Sequence, residues 1–172
     1  MKAFFVSDRL AFGSAITCWD HVKNLRAQGI THVINLRRHR NEFSKAFPCL
    51  WLGYGDDLKP RPASFYRRAL LFYRSAMRMP KTKLFVMCHH GYQRSPSMAY
   101  FLLRAEGKSP RLAREQIKLA RPSARVVRAY RVSAENFLAG HHKRRPELGH
   151  GPAELRNRRE NVRAATLATV AT

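Results

Sequence analysis

A chain of 172 residues with 45% hydrophobic and 10% aromatic content is long enough for one domain with a real core and too apolar for a largely disordered polymer. Its charge is lopsided: 33 Lys and Arg against 11 Asp and Glu give +22, and residues 1–140 alone keep 26 basic and eight acidic side chains, a net +18. Such a body is expected to attract polyanions (nucleic acid, phospholipid head groups or phosphorylated ligands), although a solvated basic surface explains a fair part of the excess.

In chain order, residues 3–6 (AFFV) and 10–12 (LAF) read as short strands. The start, MKAFFVSDRL, is broken by Asp8 and Arg9 too soon for a secretory signal. Residues 18–29, CWDHVKNLRAQG, put Trp19, Val22, Leu25 and Ala27 near helical spacing, with Gly29 as the stop. ITHVINL (30–36) is a β-branched buried strand, followed by the basic loop RRHRNEFSKAFP and a strand at 49–55, CLWLGYG. Residues 62–79 gather Phe65, Tyr66, Ala69, Leu70, Phe72, Tyr73, Ala76 and Met77 on one helical face, with Arg67, Arg68, Arg74 and Arg78 elsewhere. LFVM (84–87) is the most buried-looking strand, and a helix runs from about 95 to Gly107. Two more helices are predicted near 110–119 and 124–139, then a basic, frayed tail over 141–172 with one helix near 152–165. Alternating strands and helices predict an α/β domain over 1–140, its central sheet covered on both faces. No stretch is long enough for a membrane span. Three cysteines, Cys18, Cys49 and Cys88, lack metal-ligand spacing and point to a reducing, cytoplasmic setting.

The chemistry gathers at LFVMCHHGYQRSPS, residues 84–97. Strand, tight loop and helix start form an anion site, because successive backbone N–H groups and the helix dipole face one point. Gly91 permits the turn, and Arg94 at the loop's end is able to grip two oxygens of a phosphate. A cysteine facing that loop sees the same positive potential, which at helix N-termini and beside cations brings thiols down to roughly 3.5–7.5. Cys88 is then a nucleophile in place.

CHHGYQRS, with its Cys-x5-Arg-Ser spacing, resembles the signature of the cysteine-dependent dual-specificity and protein-tyrosine phosphatase superfamily. GITHVINL, SFYRRALLFY and the RSP exit into a helix extend the resemblance over about residues 10–140. It implies a protein-tyrosine-phosphatase-like fold with a mixed sheet, and a two-step reaction with no metal and no cofactor. Cys88 is the implied nucleophile. Arg94 and the loop residues His89, His90, Gly91, Tyr92 and Gln93 bind the phosphate, and Ser95 helps the thiolate leave. The general acid is an aspartate about thirty residues upstream; Asp56 and Asp57 lie 32 and 31 residues before Cys88 and are the only carboxylates between Glu42 and Glu106. Counting back from the helix favours Asp56, with Asp57 second. One departure is Met87, where the family usually carries a histidine that orients the loop.

Other readings compete. Cys88 could be a packed strand-end cysteine, and Asp56 and Asp57 could open a turn before Pro60. His89 and His90 suggest metal, but adjacent histidines in a phosphate loop make poor joint ligands, so they read as loop wall. Cys18 and Cys49 read as core. Cys49 is also weighed as a redox partner for Cys88, although the resemblance puts such a partner at Arg37. The short GDDLKPRP segment reads as a shallow cleft, which the dual-specificity resemblance implies would admit phosphoserine and phosphothreonine as well as phosphotyrosine. Tyr92 and the RSP exit resemble protein-directed members, so the expected partner is a phosphorylated protein. RNA or another polyanion on the basic surface is the alternative partner, as in an RNA 5′-triphosphatase; a non-catalytic phosphate- or RNA-binding module is the third reading. The oligomeric state is open.

Overall fold

The computed structural model describes residues 1–40 and 42–143. Met1–Leu138 form one compact unit, and Ala139 opens a second whose described residues are helical. The expected helix near 152–165 lies outside the described residues.

Among the described residues, five strands and five α-helices follow in order: β1 (Phe4–Ser7), β2 (Leu10–Gly13), α1 (Trp19–Ala27), β3 (His32–Asn35), β4 (Cys49–Trp51), α2 (Ala63–Met77), β5 (Leu84–Met87), α3 (Arg94–Ala105), α4 (Pro110–Ala120) and α5 (Arg128–Lys143). The sheet runs β1-β2-β5-β3-β4. β1 is antiparallel to β2, and every other pairing is parallel. Parallel strands end on one edge of the sheet, so the exits of β2, β3, β4 and β5 converge there.

Each element follows from its sequence. All four residues of β5 are buried, as an unbroken apolar run demands of a central parallel strand. α2 buries Tyr66, Ala69, Leu70, Tyr73 and Ala76, a helical stripe, and leaves its arginines outside. Residues 94 to 103 of α3 are all buried, so this helix is the spine of its layer. Ser109 caps α4 by accepting from Leu112 N at 3.2 Å, with Pro110 in the first turn.

The period-two alternation of β5 divides the core. Leu84 and Val86 join Phe12, Ile34, Leu70, Phe101 and Leu138 on the α2–α5 face, while Phe85 and Met87 join Val22, Leu25 and Val33 on the α1 face. Burying each such side chain contributes roughly 1.5–3 kcal/mol. Among the described residues no helix is long and apolar enough to cross a membrane.

Four details depart from expectation, in kind or by more than a small shift at an element's end. β4 stops at Trp51 because it pairs only with β3, and its last tie is Leu52 N to Asn35 O at 2.9 Å. A single 3-10 turn at Phe43–Ala46 was not predicted. α5 starts at Arg128, not near 124, since the preceding backbone is bonded elsewhere: Arg125 N to Tyr92 O at 2.7 Å and Val127 N to Ser97 Oγ at 3.0 Å. Residues 141–143, expected in the tail, are helical.

Candidate active site

Cys88 leaves β5 between two neighbouring strand exits. Its N–H donates to Gly13 O at 3.4 Å on the β2 side, and Leu36 N donates to Met87 O at 2.9 Å on the β3 side. The residue is 3% exposed, and its Sγ accepts from Gly91 N at 3.2 Å. Ser95 Oγ lies 3.3 Å from the same sulfur and 3.0 Å from Gly13 O. One hydroxyl proton thus has two acceptors, and a simple rotation moves it from the carbonyl to a thiolate.

The loop from 89 to 93 turns its carbonyls outward, where each is bonded. His89 O accepts from Ala15 N at 3.1 Å, Tyr92 O from Arg125 N at 2.7 Å, and Gln93 O from Ser97 N at 3.0 Å; Arg121 Nη1 takes His90 O and Gly91 O at 3.1 and 2.9 Å. The peptide bonds are all trans, so the N–H after each outward carbonyl points inward. The first turn of α3 adds N–H groups with no intrahelical partner. Gly91 sits at φ +76°, and a Cβ there would lie 2.7 Å from Gly13 C; only glycine fits.

Arg94, 7% exposed, is anchored by one nitrogen: Nη1 donates to Leu36 O at 3.2 Å and Tyr54 O at 3.0 Å. Its buried Nε makes no hydrogen bond. Asp56 Oδ2 stands 3.6 Å from that Nε. Asp57 is turned away, accepting from Lys59 N at 3.1 Å and pairing with Arg61. The Arg61 guanidinium lies 4.1 Å over the Tyr54 ring and 5.3 Å from the Tyr130 ring. Leu58, left-handed at φ +55°, donates its N–H to Tyr130 OH at 3.2 Å, and Arg61 N reaches Ser133 Oγ at 3.3 Å. The Asp56 segment is thereby strapped to α5, at a backbone cost of about 1 kcal/mol at Leu58.

His89 and His90 are exposed on the rim, their rings edge to face at 4.2 Å. The charge of His90, then slight desolvation, then Arg37 and Arg94 lower the His89 pKa, which favours its neutral form. Tyr92 is exposed beside them. Gln93 is half-buried and ends the loop, leaving its carbonyl to Ser97. Cys18 and Cys49, expected in the core, are half-buried free thiols; burial pushes the Cys49 thiol up. β4 lies two strands from β5, roughly 10 Å away, and Cys49 pairs in register with Val33, which pairs with Phe85. A disulfide needs Cα atoms within about 7 Å, so the reading of Cys49 as a redox partner of Cys88 is corrected.

No family model matches the sequence, and no curated protein matches it. Solved structures do match. PTPMT1 in complex with PI(5)P aligns with a TM-score of 0.70 at 16% identity, over 82% of this chain and 97% of that one. A mouse putative dual specificity phosphatase complexed with zinc tungstate gives 0.70 at 22%, over 82% and 88%. The human tyrosine phosphatase-like serine/threonine/tyrosine-interacting protein gives 0.70 at 18%, over 80% and 96%. This chain has the protein-tyrosine phosphatase fold.

Within the phosphatase fold the residues singled out in sequence, Cys88, Ser95, Arg94 and Asp56, converge on one loop, and Asp57 stands apart. Sequence reasoning missed Tyr54, Arg61, Tyr130 and Arg121. No local signal marks them, since each acts through a contact distant in the chain. The side chain of Met87 is buried in the α1-side core, on the opposite face from Cys88.

Proposed function

We propose that the protein is a cysteine-dependent phosphatase that hydrolyses phosphate monoesters on protein side chains. The observation that carries this is a buried sulfur at a loop whose Gly91 N–H meets it at 3.2 Å, with Arg94 closing that loop, its Nε free of hydrogen bonds and 3.6 Å from Asp56.

In the first step a thiolate at Cys88 attacks phosphorus. The Sγ–P bond forms as the P–O bond breaks, and Asp56 gives its proton to the departing oxygen. Arg94 and the loop amides hold the spreading charge of the phosphoryl group. In the second step the Asp56 carboxylate takes a proton from water, whose oxygen attacks phosphorus. The Sγ–P bond breaks, Ser95 Oγ donates to the returning thiolate, and inorganic phosphate leaves. The exposed rim of His89, His90 and Tyr92 and the exposed stretch from Asp56 to Pro60 support a shallow site that admits serine, threonine and tyrosine phosphates.

A second reading is a phosphatase for triphosphorylated RNA, favoured by the exposed Arg38, His39 and Arg40 at the β3 exit and the +22 charge. The test is turnover of an aryl phosphate by the wild type and by Cys88→Ser, followed by phosphopeptide, triphosphorylated RNA and phosphoinositide at matched salt. The expected result is hydrolysis abolished in Cys88→Ser and phosphopeptide turned over fastest. Equal rates in wild type and variant would sink the phosphatase reading. Faster γ-phosphate release from RNA would replace the protein substrate with the second reading.

A further inference from the structure

We infer that Arg121, at the end of α4, is a positioning residue that aims the amides of the phosphate loop; the inference rests on the phosphatase reading above. The loop has to turn several N–H groups toward one point, which is electrostatically unfavourable unless the opposed carbonyls are held elsewhere. Three of the five carbonyls from 89 to 93 are held by backbone N–H donors. The remaining two, His90 O and Gly91 O, share the single nitrogen Nη1 of Arg121 at 3.1 and 2.9 Å.

Trans peptide geometry transmits that contact inward. With His90 O drawn out, the Gly91 N–H points in, and it meets Cys88 Sγ at 3.2 Å. With Gly91 O drawn out, the Tyr92 N–H points in as well. Arg121 therefore governs the loop peptide that touches Cys88 Sγ and the one after it, through their carbonyls.

The guanidinium is itself held. Nε donates to Ser123 Oγ at 3.3 Å, and the plane covers the Tyr92 ring at 3.9 Å and the Phe4 ring at 4.7 Å. A Cβ on Gly91 would lie 2.6 Å from Nη1, so the arginine and the bare glycine backbone fit each other. Met87, on the β5 side, is packed in the other core layer and offers no donor to the loop. Orientation comes from outside the ring instead. A lysine would keep the charge and lose the planar fork that reaches two carbonyls while stacked on two rings.

The experiment measures the dissociation constant of inorganic phosphate by titration calorimetry, together with kcat and KM on an aryl phosphate, for wild type, Arg121→Met and Arg121→Lys. Thermal unfolding serves as the control for folding. Arg121→Met is expected to bind phosphate about tenfold or more weakly, as loss of roughly one well-aimed donor implies, and to lose kcat as well as raise KM. Arg121→Lys should fall between the two. Wild-type phosphate affinity in a folded Arg121→Met overturns the inference. So does full recovery in Arg121→Lys, because charge alone would then explain the effect. Should Arg121→Met fail to fold, Arg121→Lys decides by the same criterion. A wild type that neither binds phosphate nor hydrolyses the ester defeats the phosphatase reading instead.

Discussion

At the residue scale, the two adjacent aspartates show how one position decides a role. They have the same chemistry and neighbouring numbers, yet Asp56 faces Arg94 Nε while Asp57 is spent on Arg61 and the Lys59 N–H. Asp56→Asn is expected to lower kcat roughly 10²–10⁴-fold on a phosphoserine peptide, as loss of a general acid does. The loss should be smaller on an aryl phosphate whose leaving oxygen needs little protonation. Asp57→Asn should cost under about tenfold, because its carboxylate supports the segment and not the proton transfer. Equal losses in the two variants on both substrates would remove the distinction. The pair Cys88 and Arg94 was legible because its geometry is local, a fixed count around one loop. Asp56 was legible through the resemblance, which calls for an upstream aspartate, and through scarcity, as one of two carboxylates in a long stretch. Arg121 was not, for it is one arginine among many until folding brings it against the loop.

At the element scale, the exposed segment that carries Asp56 is held to α5 through Tyr130. Its hydroxyl accepts from the left-handed Leu58 N–H, and its ring flanks Arg61, which holds Asp57. Tyr130 is buried, and its carbonyl accepts from Tyr66 OH at 2.8 Å, which fixes it from α2. Tyr130→Phe removes one hydrogen bond, a loss of about 1 kcal/mol, and frees Leu58 to relax. We expect kcat to drop more for a poor leaving group than for a good one, read from a series of phosphate esters of graded leaving-group acidity. A uniform drop across the series would mean that Tyr130 does not act through Asp56. The sequence placed strands and helices well where hydrophobic period was strong, as in α2 and β5. It misplaced the start of α5, because the bonds that keep 124–127 out of a helix come from Tyr92 and Ser97, invisible to local periodicity.

For the molecule as a whole, excess positive charge makes each remaining carboxylate consequential. Glu135 joins α5 to α3: Arg104 Nε and Nη2 donate to its two oxygens at 2.8 and 3.0 Å, and Tyr100 OH donates as well. The Arg104 hydrogen bonds hold the Glu135 pKa below the usual carboxylate range. The unfolded chain therefore takes up this proton at higher pH than the native one. The pair's stabilisation is complete above the unfolded carboxyl's range and fades as pH falls through the native value. Glu135→Gln is expected to destabilise the fold by about 1–2 kcal/mol near pH 7, measured by urea unfolding. The gap from wild type should narrow toward about pH 3, and a gap independent of pH would show that shape, not charge, holds the helices together.

The strand order carries a consequence for how the protein fails. β5 has a hydrogen-bonded neighbour on each side, and α3, its continuation past the loop, is buried through ten successive residues. Fraying begins at edges and termini, and the amides that open last belong to such central elements. The proposed nucleophile, Cys88, therefore follows a central strand expected to exchange slowly, while the proposed acid, Asp56, sits on an exposed segment. On the proposed mechanism, partial opening would silence Asp56 before it disturbed the sulfur, leaving a species that still binds phosphate and turns esters over poorly in both steps.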